Sequence, residues 1–90
     1  MPYYVYVLAC QDGTFYTGYS QNVKARFRLH KKGKGAQYVR KHLPEKIVYV
    51  ERFETRSDAM KRERQIKRLT HAGKQKLVSS TVQEHKRKST

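Results

Sequence analysis

The chain is 90 residues long and carries 21 Lys and Arg against 7 Asp and Glu, a formal charge of +14, which marks a polyanion as the partner to expect. One domain of this size has room for a small core and encloses nothing large, and with 37% hydrophobic residues and seven tyrosines that core should be rich in phenols. Apolar runs end at about seven residues, where a membrane-spanning helix needs about 20; with a single Cys10 and no leader-like start, a soluble, cytoplasmic setting is expected.

Tyr3 to Cys10 is apolar and β-branched or aromatic at nearly every position, Gln11-Asp12-Gly13 interrupts it, and Thr14 to Ser20 resumes it. That is a hairpin, and two connections fit it. A two-residue turn at Asp12-Gly13 puts Tyr6 and Tyr16 on opposite faces. A three-residue loop with Gly13 in the left-handed position makes the numbers of facing residues sum to 24, so that Leu8 opposes Tyr16, Tyr6 opposes Gly18, and the two phenols become diagonal neighbours about 7 to 8 Å apart. Gly18 then leaves the space beside Tyr6 unfilled.

Next, Ser20 or Asn22 can cap a helix in which Val23, Phe27 and His30 recur at helical spacing, ending at Lys31-Lys32-Gly33. Arg26 and His30, four apart, project from one face. Gly33 to Pro44 has little periodicity and reads as a mobile basic loop or a short helical turn, with Tyr38 its one large aromatic. Lys46 to Phe53 is strand-like, and Thr55 with Asp58 makes a capping-box-like start to a helix running to about Leu69. Its inward stripe should be Ala59, Met60, Glu63, Ile66 and Leu69 or Thr70, which sets Glu63 among apolar positions. His71 to Val78 can form a short third helix. The expected fold class is α+β, a small three-stranded antiparallel sheet flanked by helices in the order β-β-α-β-α, with one domain at 1–78 and a basic, disordered tail at 79–90 containing Lys86-Arg87-Lys88.

Tyr4-Val5-Tyr6, Tyr16-Thr17-Gly18, Arg26 ten residues after Tyr16, His30 four further on, Tyr38, and Glu63 on a later helix form an ordered series. Over roughly residues 3 to 69 it resembles the motif series of GIY-YIG nuclease domains, above all the small stand-alone bacterial branch. The resemblance implies a phosphodiesterase that cuts nucleic acid with one divalent metal, Mg²⁺ or Mn²⁺, and catalytic positions at Tyr6, Tyr16, Arg26, His30, Tyr38 and Glu63. Two departures stand out: no Asn follows Asn22 to complete the site as in larger members, leaving Lys67 or Gln65 as substitutes, and the first motif reads Tyr-Val-Tyr in place of Gly-Ile-Tyr.

The chemistry of the residues runs parallel to this. Glu63 is the natural metal ligand, since Mg²⁺ takes one or two carboxylates with waters and phosphate oxygens; a buried partner for an Arg is the alternative. Arg26 offers a permanently charged planar fork for two phosphate oxygens, though in so basic a chain an Arg is otherwise a solvated charge. A free phenol titrates near about 10, so Tyr6 serves as base, positioned by Tyr16, only if Arg26 and the metal lower that value; otherwise both are packing residues. His30 suits proton transfer or a phosphate contact, or simple packing. The resemblance puts Tyr38 near the scissile phosphate. Gly18 would admit close approach of backbone or a phosphate, or is simply a strand glycine at a bend, and Lys32, Lys34, Arg40 and Lys67 are candidate nucleic-acid contacts, while Tyr3, Tyr4, Tyr19 and Tyr49 are assigned to packing or surface.

The leading function is a metal-dependent endonuclease acting on DNA more than RNA, structure- or lesion-directed because one small module presents little surface for base readout. A protein partner would supply specificity, and a monomer is favoured. Alternatives are a catalytically silent nucleic-acid-binding module on the same fold and a basic ribosome- or RNA-associated factor. The chemistry requires Glu63, two phenols and the Arg26 guanidinium to converge on the same side of the sheet.

Overall fold

The computed structural model describes residues 1–32 and 43–79. It contains β1 (Tyr3–Cys10), β2 (Phe15–Ser20), α1 (Val23–Lys31), β3 (Pro44–Phe53), α2 (Arg56–Lys67) and a third helix, α3, at residues 71–79. The three strands form one antiparallel sheet in the order β2-β1-β3, with β1 in the centre. The α+β architecture expected from the sequence is the one observed.

Between the two turn geometries, the longer one is adopted. Cys10 N–H donates to the Thr14 carbonyl at 2.9 Å, Gly13 N–H donates to the Cys10 carbonyl at 3.0 Å, and Gly13 has φ +86°, a left-handed conformation that costs glycine nothing. The pairs Tyr4 with Ser20, Tyr6 with Gly18 and Leu8 with Tyr16 follow. Even-numbered residues of β1 and β2 therefore share one face and odd-numbered residues the other.

The odd face carries the apolar core of Val5, Val7, Tyr49, Ala59 and Ile66, so α2 packs there. Its stripe is shorter than the periodicity suggests: Ala59 and Ile66 are fully buried, but Leu69 is 40% exposed because the helix ends at Lys67. Leu77 and Val78 of α3 cover the core instead. His71 fixes the start of α3, its ring stacked on Phe15 at 5.0 Å and its Nε2 hydrogen-bonded to the Gly13 carbonyl at 2.9 Å. On the even face, α1 lies against Tyr6 and Tyr16 through His30. The sheet is thus sandwiched between helices, with β2 an exposed edge.

Local signals place the helix starts. Asn22, not Ser20, caps α1, its side chain accepting from Ala25 N–H at 3.1 Å, while the Ser20 hydroxyl supports the Asn22 backbone. The Thr55 hydroxyl accepts from Asp58 N–H at 3.2 Å and caps α2. β3 begins two residues before the expected Lys46, at a buried Pro44. A proline is tolerated at the first position of an edge strand, and register shifts between Val7 and Leu8 and between Ala9 and Cys10 accommodate it. Lys34, Tyr38, Arg40 and the tail beyond residue 79 lie outside the described residues.

Candidate active site

The hairpin register sets the site. Tyr6 and Tyr16, diagonal across β1 and β2, have ring centroids 6.4 Å apart. His30, one turn beyond Arg26 on α1, inserts against both: its Nε2 is hydrogen-bonded to the Tyr6 hydroxyl at 3.2 Å and its ring meets Tyr16 edge-on at 5.2 Å. His30 is only 2% exposed, so it is a buried member of the site and not a surface histidine.

Gly18 lies against Tyr6 and also lines the adjoining pocket. The space beside it is filled by the Tyr6 phenol: a Cβ at position 18 would stand 2.6 Å from the Tyr6 hydroxyl oxygen and 2.8 Å from Cζ. The glycine admits a tyrosine from the same sheet.

These residues open onto a pocket of about 670 Å³ whose walls include Tyr16, Gly18, Arg26, His30 and Glu63. The carboxylate and the guanidinium do converge with the phenols, but not from one side of the sheet as the sequence reading required. Glu63 belongs to the helix on the odd face and Arg26 to the helix on the even face. They meet at the edge of β2, where no further strand intervenes among the described residues.

Electrostatics divides the two phenols. Burial, then the neighbouring Tyr16, raises the proton affinity of Tyr6 far above the ordinary phenol range; Arg26 opposes and Glu63 adds to the rise. The expected lowering of Tyr6 by Arg26 is overwhelmed, because the buried phenolate would lose its hydration. Tyr6 is 2% exposed and does not line the pocket. Tyr16 does, and its proton affinity is also raised, by burial and then by Glu63, against the lowering effect of Arg26.

Among the described residues Glu63 is the one acidic residue on the pocket wall, and no group of three or more His, Cys, Asp or Glu side chains gathers to cage a metal. A single carboxylate oxygen donor fits Mg²⁺ or Mn²⁺ completed by water and phosphate oxygens. Lys67 sits 3.7 Å from the Glu63 carboxylate as an i,i+4 pair in which the lysine is exposed and the glutamate is only 17% exposed. Neither Lys67 nor Lys32, which caps the end of α1, lines the pocket.

Tyr3, Tyr19, Ser20, Gln21, Asn22 and Arg56 also line the pocket, and the sequence singled out none of them as a site residue. Tyr3 and Tyr19, assigned to packing or surface, do pack against the core and line the odd-face side, together with Arg56 from the first turn of α2. Nothing in the local sequence distinguishes Arg56 from the other basic residues; only the packing of α2 brings it to the β2 edge. Tyr49 does pack in the core, its hydroxyl donating to Glu51 at 2.6 Å while Arg62 donates to the same carboxylate at 2.9 Å.

Comparison with known proteins gives a consistent result. Residues 2–77 match the family described as the GIY-YIG catalytic domain. The chain is 49% identical over 77 residues to a UPF0213 protein of Natronomonas pharaonis, covering 86% of this chain and 91% of that one. It is 43% identical over 76 residues to a UPF0213 protein of Staphylococcus aureus, covering 84% and 93%. Two solution NMR structures are similar: a UPF0213 protein of Bacillus halodurans, 42% identical with TM-score 0.57 and coverage of 88% and 84%, and a protein of E. faecalis, 38% identical with TM-score 0.61 and coverage of 90% and 86%.

Proposed function

Because the chain belongs to the GIY-YIG catalytic-domain family, a family of nuclease domains, we propose that it is a divalent-metal-dependent endonuclease hydrolysing phosphodiester bonds in DNA, directed by structure or lesion instead of sequence. The observation that carries this reading is the meeting of Tyr16, Arg26, His30 and Glu63 in one pocket at the sheet edge. The charge of +14 supports a nucleic-acid substrate, and the limited surface of one small module argues against base readout.

In this mechanism Arg26 grips two oxygens of the scissile phosphate with its planar fork and stabilises the charge that builds there. Tyr16, on the pocket wall, orients the attacking water as a neutral phenol, since burial and then Glu63 raise its proton affinity against the opposing effect of Arg26. Tyr6 stands behind it and holds His30. Glu63 would hold the metal, which polarises phosphoryl oxygens and makes water more acidic when bound.

Incubating the purified protein with labelled duplex DNA, branched DNA and structured RNA in Mg²⁺, Mn²⁺ or EDTA tests the reading. Cleavage of a DNA form with metal and none with EDTA is expected, and Glu63→Gln should abolish cleavage while leaving salt-sensitive binding intact. An unchanged rate in Glu63→Gln would overturn the site. A wild-type protein that binds every form and cuts none is instead the silent binding module.

A further inference from the structure

The pocket is larger than its proposed chemistry needs. Its wall runs on past Tyr16, Arg26, His30 and Glu63, the residues that the phosphate and the ion engage. The additional wall comes from the odd face of the sheet, where Tyr3, Tyr19 and Arg56 stand. Arg56 Nε donates to the Tyr19 hydroxyl at 3.2 Å, and the Tyr19 ring is packed against the core. The guanidinium is therefore anchored at one nitrogen by a residue that is itself held. It is exposed, and among the described residues no acceptor engages its two terminal amino groups. Arg26, at the other end, is likewise exposed and has no acidic partner among the described residues. Two guanidinium forks thus face a pocket that holds a single carboxylate.

We infer that Arg56, oriented by Tyr19, forms a second phosphate subsite, which takes a phosphate of the same strand next to the one gripped by Arg26. The strand then crosses the β2 edge from the even-face side of the sheet to the odd-face side. The inference rests on the nuclease reading for what occupies the Arg26 end. Anchoring through Nε leaves both terminal amino groups for bidentate contact with a phosphate, and an arginine held in place loses less side-chain freedom when the ligand arrives.

The test is oligonucleotide binding in EDTA across a range of salt concentrations. A phosphate contact contributes close to one unit to the slope of log affinity against log salt, so Arg56→Gln should lower that slope by about one and weaken binding about tenfold, uniformly across sequences. Lys46→Gln removes the same charge from β3, the opposite edge strand, and serves as the control for nonspecific charge loss. An Arg56→Gln variant that behaves like Lys46→Gln overturns the subsite. Tyr19→Phe keeps the packed ring and removes the acceptor, and a several-fold loss of affinity is expected; wild-type affinity there overturns the anchoring role. Binding in EDTA needs no cleavage, so a wild-type protein that never cuts DNA removes the hydrolytic reading while the slope comparison still decides the subsite.

Discussion

Gly18 and Tyr6 form a matched pair, and each explains the other. A glycine in the interior of a short strand costs stability by itself, yet here it makes room for the phenol that reaches His30. Adding one methyl group at position 18 would force the Tyr6 hydroxyl and Cζ from their places, both under 3 Å away. Gly18→Ala should therefore destabilise the fold by about 1 to 3 kcal/mol, the usual cost of overpacking, read as a lower urea midpoint with an unchanged m-value. A loss below about 0.5 kcal/mol would mean that the phenol moves freely and that the Tyr6–His30 contact is not a constraint. The sequence offered Tyr6 opposite Gly18 as one of two registers, the one that follows from a three-residue turn. Which group fills the vacant space was not legible, because it depends on the Tyr6 side chain lying across the neighbouring strand.

At the scale of elements, the site depends on how the helices begin. α1 delivers Arg26 and His30, and it starts at Asn22, whose side chain satisfies an otherwise unpaired N–H of the first turn. Asn22→Ala should cost about 1 kcal/mol. Because Asn22 also lies on the pocket wall, amide hydrogen exchange would separate the two effects: faster exchange confined to the first turn of α1 is expected, and protection equal to wild type would show that the cap contributes nothing. The caps were readable as residue types at the right spacing. The early start of β3 at Pro44 was not, since it depends on register shifts opposite Ala9 and Cys10, and the short reach of α2 was missed because α3 supplies the core contacts that Leu69 was expected to make.

Across the whole molecule, the phenolic core ties stability to alkaline pH. Burial raises the proton affinities of Tyr6, Tyr16 and Tyr49, and of the buried Cys10 thiol. In each case the folded state holds its proton more tightly than the unfolded state does. Their contribution is then fully present below the ordinary values, about 8.5 for the thiol and about 10 for the phenols, and is lost as pH rises through the higher folded values. The denaturation midpoint should fall progressively above about pH 9, with Tyr6→Phe losing less than wild type over that interval. A midpoint that holds constant to pH 11 or so would show that these groups are hydrated in the folded state. The described helices include none long and apolar enough to cross a membrane.

Composition, turn chemistry and periodicity by themselves determined the kind and order of the elements and narrowed the hairpin to two registers and the α1 cap to Ser20 or Asn22, because each depends on interactions within a few residues of one another. The order of Tyr6, Tyr16, Arg26, His30 and Glu63 along the chain also carried the family resemblance. Only the tertiary structure decided that α1 and α2 lie on opposite faces and that their side chains meet at an open sheet edge, since a residue's helical phase says which way it points from its own axis and nothing about the layer its helix joins. The same limit hid Arg56, which is one basic residue among many until the packing of α2 sets it beside Tyr19.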